Sequence, residues 1–287
     1  MTGHPIKTPA MSTAVRTLRR ATLDDLRAEI DAIDDSLHDL LMRRAGLAGD
    51  IARLKAKAPA GASGPLFRPG REAAIVRRIL ARHKGPFPPA ALVRIWREVI
   101  GALLRLQGPL TVATASTGLN ELARDHFGTV ATVRAQATPF AAIRAVSAAR
   151  ATVAVVPWPA TTDSERPWWL VLAKSPFAKD GAPRVVAALP ALGGKEQPEA
   201  LAVAAMAPEP SSNDRSLIAI VSSKKITQQV LTRAGFKGRI VARADGGVLL
   251  AVEGFVADSD ARLKNFKAPG FVIGAYAVPS FIARGDA

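Results

Sequence analysis

With 287 residues, 48% of them apolar and 22% charged, the chain has room for two domains and is too apolar to be disordered throughout. It contains no cysteine, which excludes disulfides, thiolate metal sites and cysteine nucleophiles. A net charge of +15 and a pI near 11 suit a polyanionic partner, but the basic residues are dispersed and only 5% of residues are aromatic, so stacking platforms for nucleic acid are poorly supplied.

Residues 1–20 are polar and basic, with Arg16, Arg19 and Arg20 near their end and no apolar core of a signal peptide. They are expected to form a disordered basic tail of a cytoplasmic protein. No stretch reaches the roughly 20 consecutive apolar residues of a membrane span. His4, His38, His83 and His126 are scattered, with no two at metal-ligand spacing, so no metal site is expected.

From Thr22 to about Ala58 there is no Pro, and the only glycines are Gly46 and Gly49. Thr22 suits a helix N-cap, Asp24 and Asp25 suit the first turn, and Pro59 and Gly61 stop the pattern. Leu23, Leu26, Ile30, Ile33, Leu37, Leu40, Leu47, Ile51 and Leu54 follow steps of three and four, a heptad seam along one long helix. Arg44 falls on that seam, where a guanidinium is costly unless an anion meets it. Lys55 lies about 16 Å further along the same face, whereas Arg27 is about 42 Å from Lys55 at the standard helical rise. No small ligand reaches both within one chain; an antiparallel partner helix would bring Arg27 of one copy beside Arg44 and Lys55 of the other. On spacing alone, a coiled coil with one register-setting polar residue fits equally well.

After a Gly/Pro-containing linker at 62–68, a second helix is expected from Pro69 to about His83. Arg71 and Glu72 lie in its first turn, with Ile75, Ile79 and Leu80 facing inward. Beyond Gly85-Pro86-Phe87-Pro88-Pro89, a third helix carries the stripe Leu92, Trp96, Val99, Leu103 and Leu106 to about Gln107, where Gly108-Pro109 ends it. One long helix, two shorter ones and an excess of inward cations make a site for a compact dianion.

Three segments, "LDDLRAEIDAIDDSLHDLLMRRAGLAGDIARLKAK", "LFRPGREAAIVRRI" and "IWREVIGALLRLQGP", resemble in order and spacing the all-helical chorismate mutase domain of bifunctional chorismate mutase–prephenate dehydratases. The resemblance covers residues 22–108 and implies a homodimer with shared active sites that converts chorismate to prephenate by a Claisen rearrangement. It implies that Arg44 and the partner subunit's Arg27 grip the two carboxylates. Lys55 and Gln107 would donate to the ether oxygen, Glu72 would accept from the ring hydroxyl, and Arg71 would support the pocket. A pericyclic step needs no nucleophile, proton transfer or cofactor, so the absence of cysteine is no objection; acceleration comes from holding the reactive shape and stabilising developing charge. Two positions depart from the family's pattern. Leu103 stands where a small hydroxyl residue is frequent, and Pro69 where some relatives have aspartate. A non-catalytic regulator that binds an aromatic-pathway metabolite or a partner enzyme, and a basic nucleic-acid-binding helical dimer, are the alternatives.

Beyond Leu110, "LTVATASTGLNELARDHFG" reads as strand, turn and helix, and "TPFAAIRAVSAARATVAVVPWP" as helix and strand. Both resemble the opening of a prephenate dehydratase domain. The Thr-Arg-Phe motif of that family would fall at Pro167, Trp168 and Trp169, so dehydratase activity is not expected. The order strand 216–221, helix 226–234, strands 238–242 and 247–255, helix 258–265 and strand 271–277 is similar to an ACT regulatory domain. The family's amino-acid-binding motifs are replaced by "SSKKITQQVL" and "VARADGG", so a retained structural domain that promotes oligomerisation is expected, with phenylalanine as an effector the alternative. The expected fold class is α + α/β. An N-terminal three-helix chorismate-mutase-like domain (21–108, an intertwined dimer) precedes a degenerate dehydratase-like α/β segment (109–177), a linker (178–214) and a βαββαβ ACT-like domain (215–287).

Overall fold

The structure, a computed structural model, describes residues 22–57, 65, 67–160, 167–174, 181–193, 197–222 and 226–280. The expected tail at 1–20 and part of the linker at 62–68 lie outside the described residues. The chain falls into two compact units, one ending at Asp50 and the other beginning at Ile51.

Helix α1 (Leu23–Lys57) has the predicted extent. Its N-terminus is a reciprocal cap: the Thr22 amide donates to Asp25 Oδ2 at 2.9 Å, and the Asp25 amide donates to Thr22 Oγ1 at 3.2 Å. Its heptad seam is exposed from end to end, from 41% at Leu26 to 70% at Leu54.

In the second unit, α2 (Pro69–Arg82) and α3 (Pro89–Gln107) start on prolines, whose missing N–H costs nothing in a first turn. The face of α3 that packs inward is Val93, Arg97, Ile100, Gly101 and Leu104. The predicted stripe is the neighbouring one: Leu92, Trp96, Val99 and Leu103 are half-buried and Leu106 is exposed. The helix carries two apolar stripes, and the sheet takes the one that contains Gly101, where a Cβ would collide with the Phe127 carbonyl. Arg77 ties α2 down, donating to the carbonyls of Ser211 and Asn213 at 2.6 and 2.8 Å.

The predicted βα units follow. Strands β1 (Thr111–Thr114), β2 (Thr132–Ala135) and β3 (Val153–Pro157) are parallel, with β1 in the middle. Helices α4 (Asn120–Phe127) and α5 (Pro139–Ser147) cross over on opposite faces, as a doubly wound unit requires. Strand β2 had no periodic signal because it is an edge strand with little burial. Helix α6 (Trp168–Lys174) packs on the α5 face, with Trp168 and Trp169 buried.

The expected linker at 178–214 is a correction. It contains β4 (Pro183–Leu189) and β5 (Ala200–Ala205), which lie in the middle of a nine-stranded sheet of order β2-β1-β3-β5-β4-β9-β6-β8-β7. Both strands are covered on two faces, so "PRVVAAL" and "ALAVAA" show no alternation, and their alanines imitate a low-complexity connector.

The last part runs β6 (Asp214–Val221), α7 (Gln228–Arg233), β7 (Gly238–Ala244), β8 (Gly247–Glu253), a 3₁₀ turn (Ala261–Asn265) and β9 (Gly270–Ala277). The 3₁₀ turn replaces the expected second helix. The local order β9-β6-β8-β7, antiparallel throughout, is the ACT-like arrangement the βαββαβ pattern implied. A parallel contact of Val185 with Gly274 joins it to β4; a Cβ on Gly274 would collide with the Val185 backbone. Among the described residues no helix is long and apolar enough to cross a membrane.

Candidate active site

In the first unit, Arg27 lies one turn into α1, exposed, with Nη1 3.2 Å from Asp24 Oδ1. Arg44 is half-buried on the seam.

In the second unit, Lys55 belongs to the last turn of α1, where a cation suits the negative end of the helix. Its Nζ donates to the Pro65 carbonyl at 2.7 Å, so the lysine already has a fixed direction. Gln107 ends α3 and turns its Nε2 back onto the Leu103 carbonyl at 3.1 Å, one turn earlier in the same helix. Arg71 is exposed. No hydrogen bond or ion pair among the described residues joins Lys55, Arg71, Glu72 and Gln107 to one another.

Glu72 is different. It lies on the buried face of α2, and Oε2 accepts from Arg97 Nη1 at 3.0 Å, with both side chains more than nine-tenths buried. Its other oxygen, Oε1, is buried without a hydrogen-bond partner. Burial lifts the Glu72 carboxyl above its usual range, and Arg97 pulls it partway back. Burial likewise lowers the Arg97 guanidinium, against the pull of Glu72. His126 completes the cluster: its ring is buried edge-on to Phe127, and burial first, then Arg97, holds its pKa well below the ordinary value. All three residues line a chamber of about 20 Å³, room for one water.

Arg97 and His126 were missed by sequence reasoning. The signal for Arg97 was present, as a cation at the centre of the second stripe, Val93, Ile100 and Leu104, with Gly101 beside them. His126 sits alone in a short helix and offers no comparable pattern. At the dehydratase-like positions, Pro167, Trp168 and Trp169 are all buried and supply neither hydroxyl nor guanidinium.

Residues 26–108 match the chorismate mutase type II family. The N-terminal region is a type II chorismate mutase domain. Over 143 residues the chain is 36% identical to the bifunctional chorismate mutase/prephenate dehydratase of Pseudomonas aeruginosa, an alignment covering 47% of this chain and 38% of that protein. The counterpart from Aquifex aeolicus is 38% identical over 146 residues, with the same two shares. That from Neisseria gonorrhoeae is 38% identical over 114 residues, 37% of this chain and 30% of that protein. The chain thus spans less than two-fifths of these curated relatives. A prephenate dehydratase from Streptococcus mutans aligns with 60% of this chain and all of its own at 12% identity, with a TM-score of 0.39. Every residue proposed from the sequence, from Arg27 to Gln107, falls inside the chorismate mutase domain.

Proposed function

We propose that the chain is a chorismate mutase that converts chorismate to prephenate for aromatic amino acid synthesis in the cytoplasm, as a homodimer whose active sites take residues from both copies. The family match over residues 26–108 carries this reading. The bare seam of α1 supports the dimer: nine aliphatic side chains stand in solvent on one helix face, and covering each contributes roughly 1 kcal/mol. The half-covered stripe of α3 offers a second apolar strip for the same purpose.

In this reading Arg44 and the partner subunit's Arg27 neutralise the two carboxylates and fold the substrate into its reactive shape. Lys55 and Gln107 donate to the ether oxygen as the C–O bond breaks and negative charge grows there. One such donor contributes roughly 3 kcal/mol to the barrier, about two powers of ten in rate. Gln107 has to exchange its bond to Leu103 for one to substrate. Glu72, held by Arg97 beside a chamber with room for one water, has to turn out of that pair to accept the ring hydroxyl, and Arg71 supports the pocket from the neighbouring position.

The dehydratase-like part is inactive in this reading. The ACT-like part is where phenylalanine would act as an effector, which titration of phenylalanine into the assay would reveal. Leu103 in place of a hydroxyl favours a second reading, a non-catalytic regulator that binds through the same helices. Loss of chorismate absorbance on adding the purified protein separates the two. Turnover supports the enzyme; an unchanged spectrum with chorismate still bound supports the regulator.

A further inference from the structure

The N-terminal half of α3, the α4 helix and the turn after β4 together line a cleft of about 580 Å³. Gly118 follows β1, Pro190 follows β4 and Glu199 precedes the antiparallel β5, so the cleft opens at the carboxyl ends of the parallel strands, where α/β sheets bind ligands. It is on the sheet face opposite Trp168 and Trp169, away from the dehydratase-like positions.

Two of its lining side chains, Arg97 and His126, are each 5% exposed, and each keeps a buried nitrogen, Arg97 Nε and His126 Nδ1, without a hydrogen-bond partner. Native proteins rarely leave such groups unmet, since each costs roughly 1–3 kcal/mol. Toward the mouth, Glu121 has no ion-pair partner among the described residues, while Asp125 faces Arg94 at 3.4 Å. Val93, Leu122 and Leu192 supply apolar wall.

The charges decide the ligand class. Three carboxylates, Glu121, Asp125 and Glu199, line the cleft with two guanidinium groups, Arg94 and Arg97. A bare anion would meet the carboxylates and a bare cation would meet the guanidiniums. A small molecule carrying both signs and an apolar body suits all three features. We propose that this cleft is a binding site for a zwitterionic amino acid, with its carboxylate toward Arg97 and His126, its ammonium toward Glu121, and its side chain against Val93 and Leu122.

The test uses the full chain, with leucine as the probe and two analogues that each lack one charge: leucinamide and 4-methylpentanoate. The readout is the ring resonance of His126, identified by its loss in His126→Gln. Leucine should shift that resonance saturably at millimolar concentration, and each analogue should bind at least roughly tenfold more weakly, as loss of one charge-assisted hydrogen bond implies. Glu121→Gln, an exposed change that leaves the core intact, should weaken leucine by a similar factor, and Leu122→Trp should block the cleft. Equal binding of leucine and either analogue, binding unaffected by Glu121→Gln or Leu122→Trp, or no saturation would overturn the proposal.

Discussion

Arg97 Nη1 lies 3.0 Å from Glu72 Oε2, and the pair links α3 to α2 beneath the sheet with neither side chain more than 8% exposed. Such a pair gains little over a well-packed apolar one, but breaking it leaves a bare charge in the core. Arg97→Ala should therefore cost roughly 3–5 kcal/mol. The joint replacement Glu72→Leu with Arg97→Met should cost far less. Denaturant midpoints for the two variants check this, and equal losses would mean that the pair itself is the anchor.

His126 makes stability depend on pH. Its ring is buried, so the folded chain binds the proton less readily than the unfolded one, whose histidine titrates near 6.5. The resulting stability is present above pH 6.5 and is lost as pH falls through the depressed folded value. Glu72 acts in the opposite sense: its raised carboxyl contributes below the unfolded 4.5, and that contribution fades as pH rises through the folded value. The melting temperature of the native chain should fall faster below pH 6.5 than that of His126→Gln, and parallel curves would remove His126 from the account.

Tyr276 is the single tyrosine, and burial pushes its phenol up to about 12. No tyrosinate absorbance should grow in before about pH 12 unless the chain unfolds. Because the folded phenol keeps its proton where the unfolded one loses it, stability should decline between pH 10 and 12, by roughly 2–3 kcal/mol in total. Spectrophotometric titration of the native chain checks this, and ionisation near 10 with the fold intact would contradict the burial.

The α1 seam bears on assembly. Leu37 and Leu40 are 54% and 60% exposed, so replacing both with aspartate should cost the single chain little. Leu37→Asp with Leu40→Asp should give a monomer that keeps its far-UV signal from the sheet and loses chorismate turnover. Light scattering on the eluted protein measures the change in mass; an unchanged mass would show that the seam is not the interface.

How far the sequence could be read follows from burial. Helix α1 was legible to within a residue because a heptad pattern, a cap and a proline stop agree with one another. Arg44 stood out because it breaks that pattern. Strands β4 and β5 were illegible because burial on both faces removes alternation, and their alanines imitate a linker. On α3 two stripes of similar strength compete, and only the position of the sheet decides that Val93, Arg97 and Leu104 turn inward. Hence the ion pair that fixes Glu72 emerged only in three dimensions, although both of its partners lie in legible helices.

The most direct test of a site built from two copies is to mix inactive subunits. Arg27→Ala and Lys55→Ala homodimers should each be dead. In a heterodimer of the two, one pocket carries both lesions and the other carries neither, so tagged and isolated heterodimers should recover up to half the native chorismate turnover. Confirmed heterodimers with no recovery would contradict the shared cage.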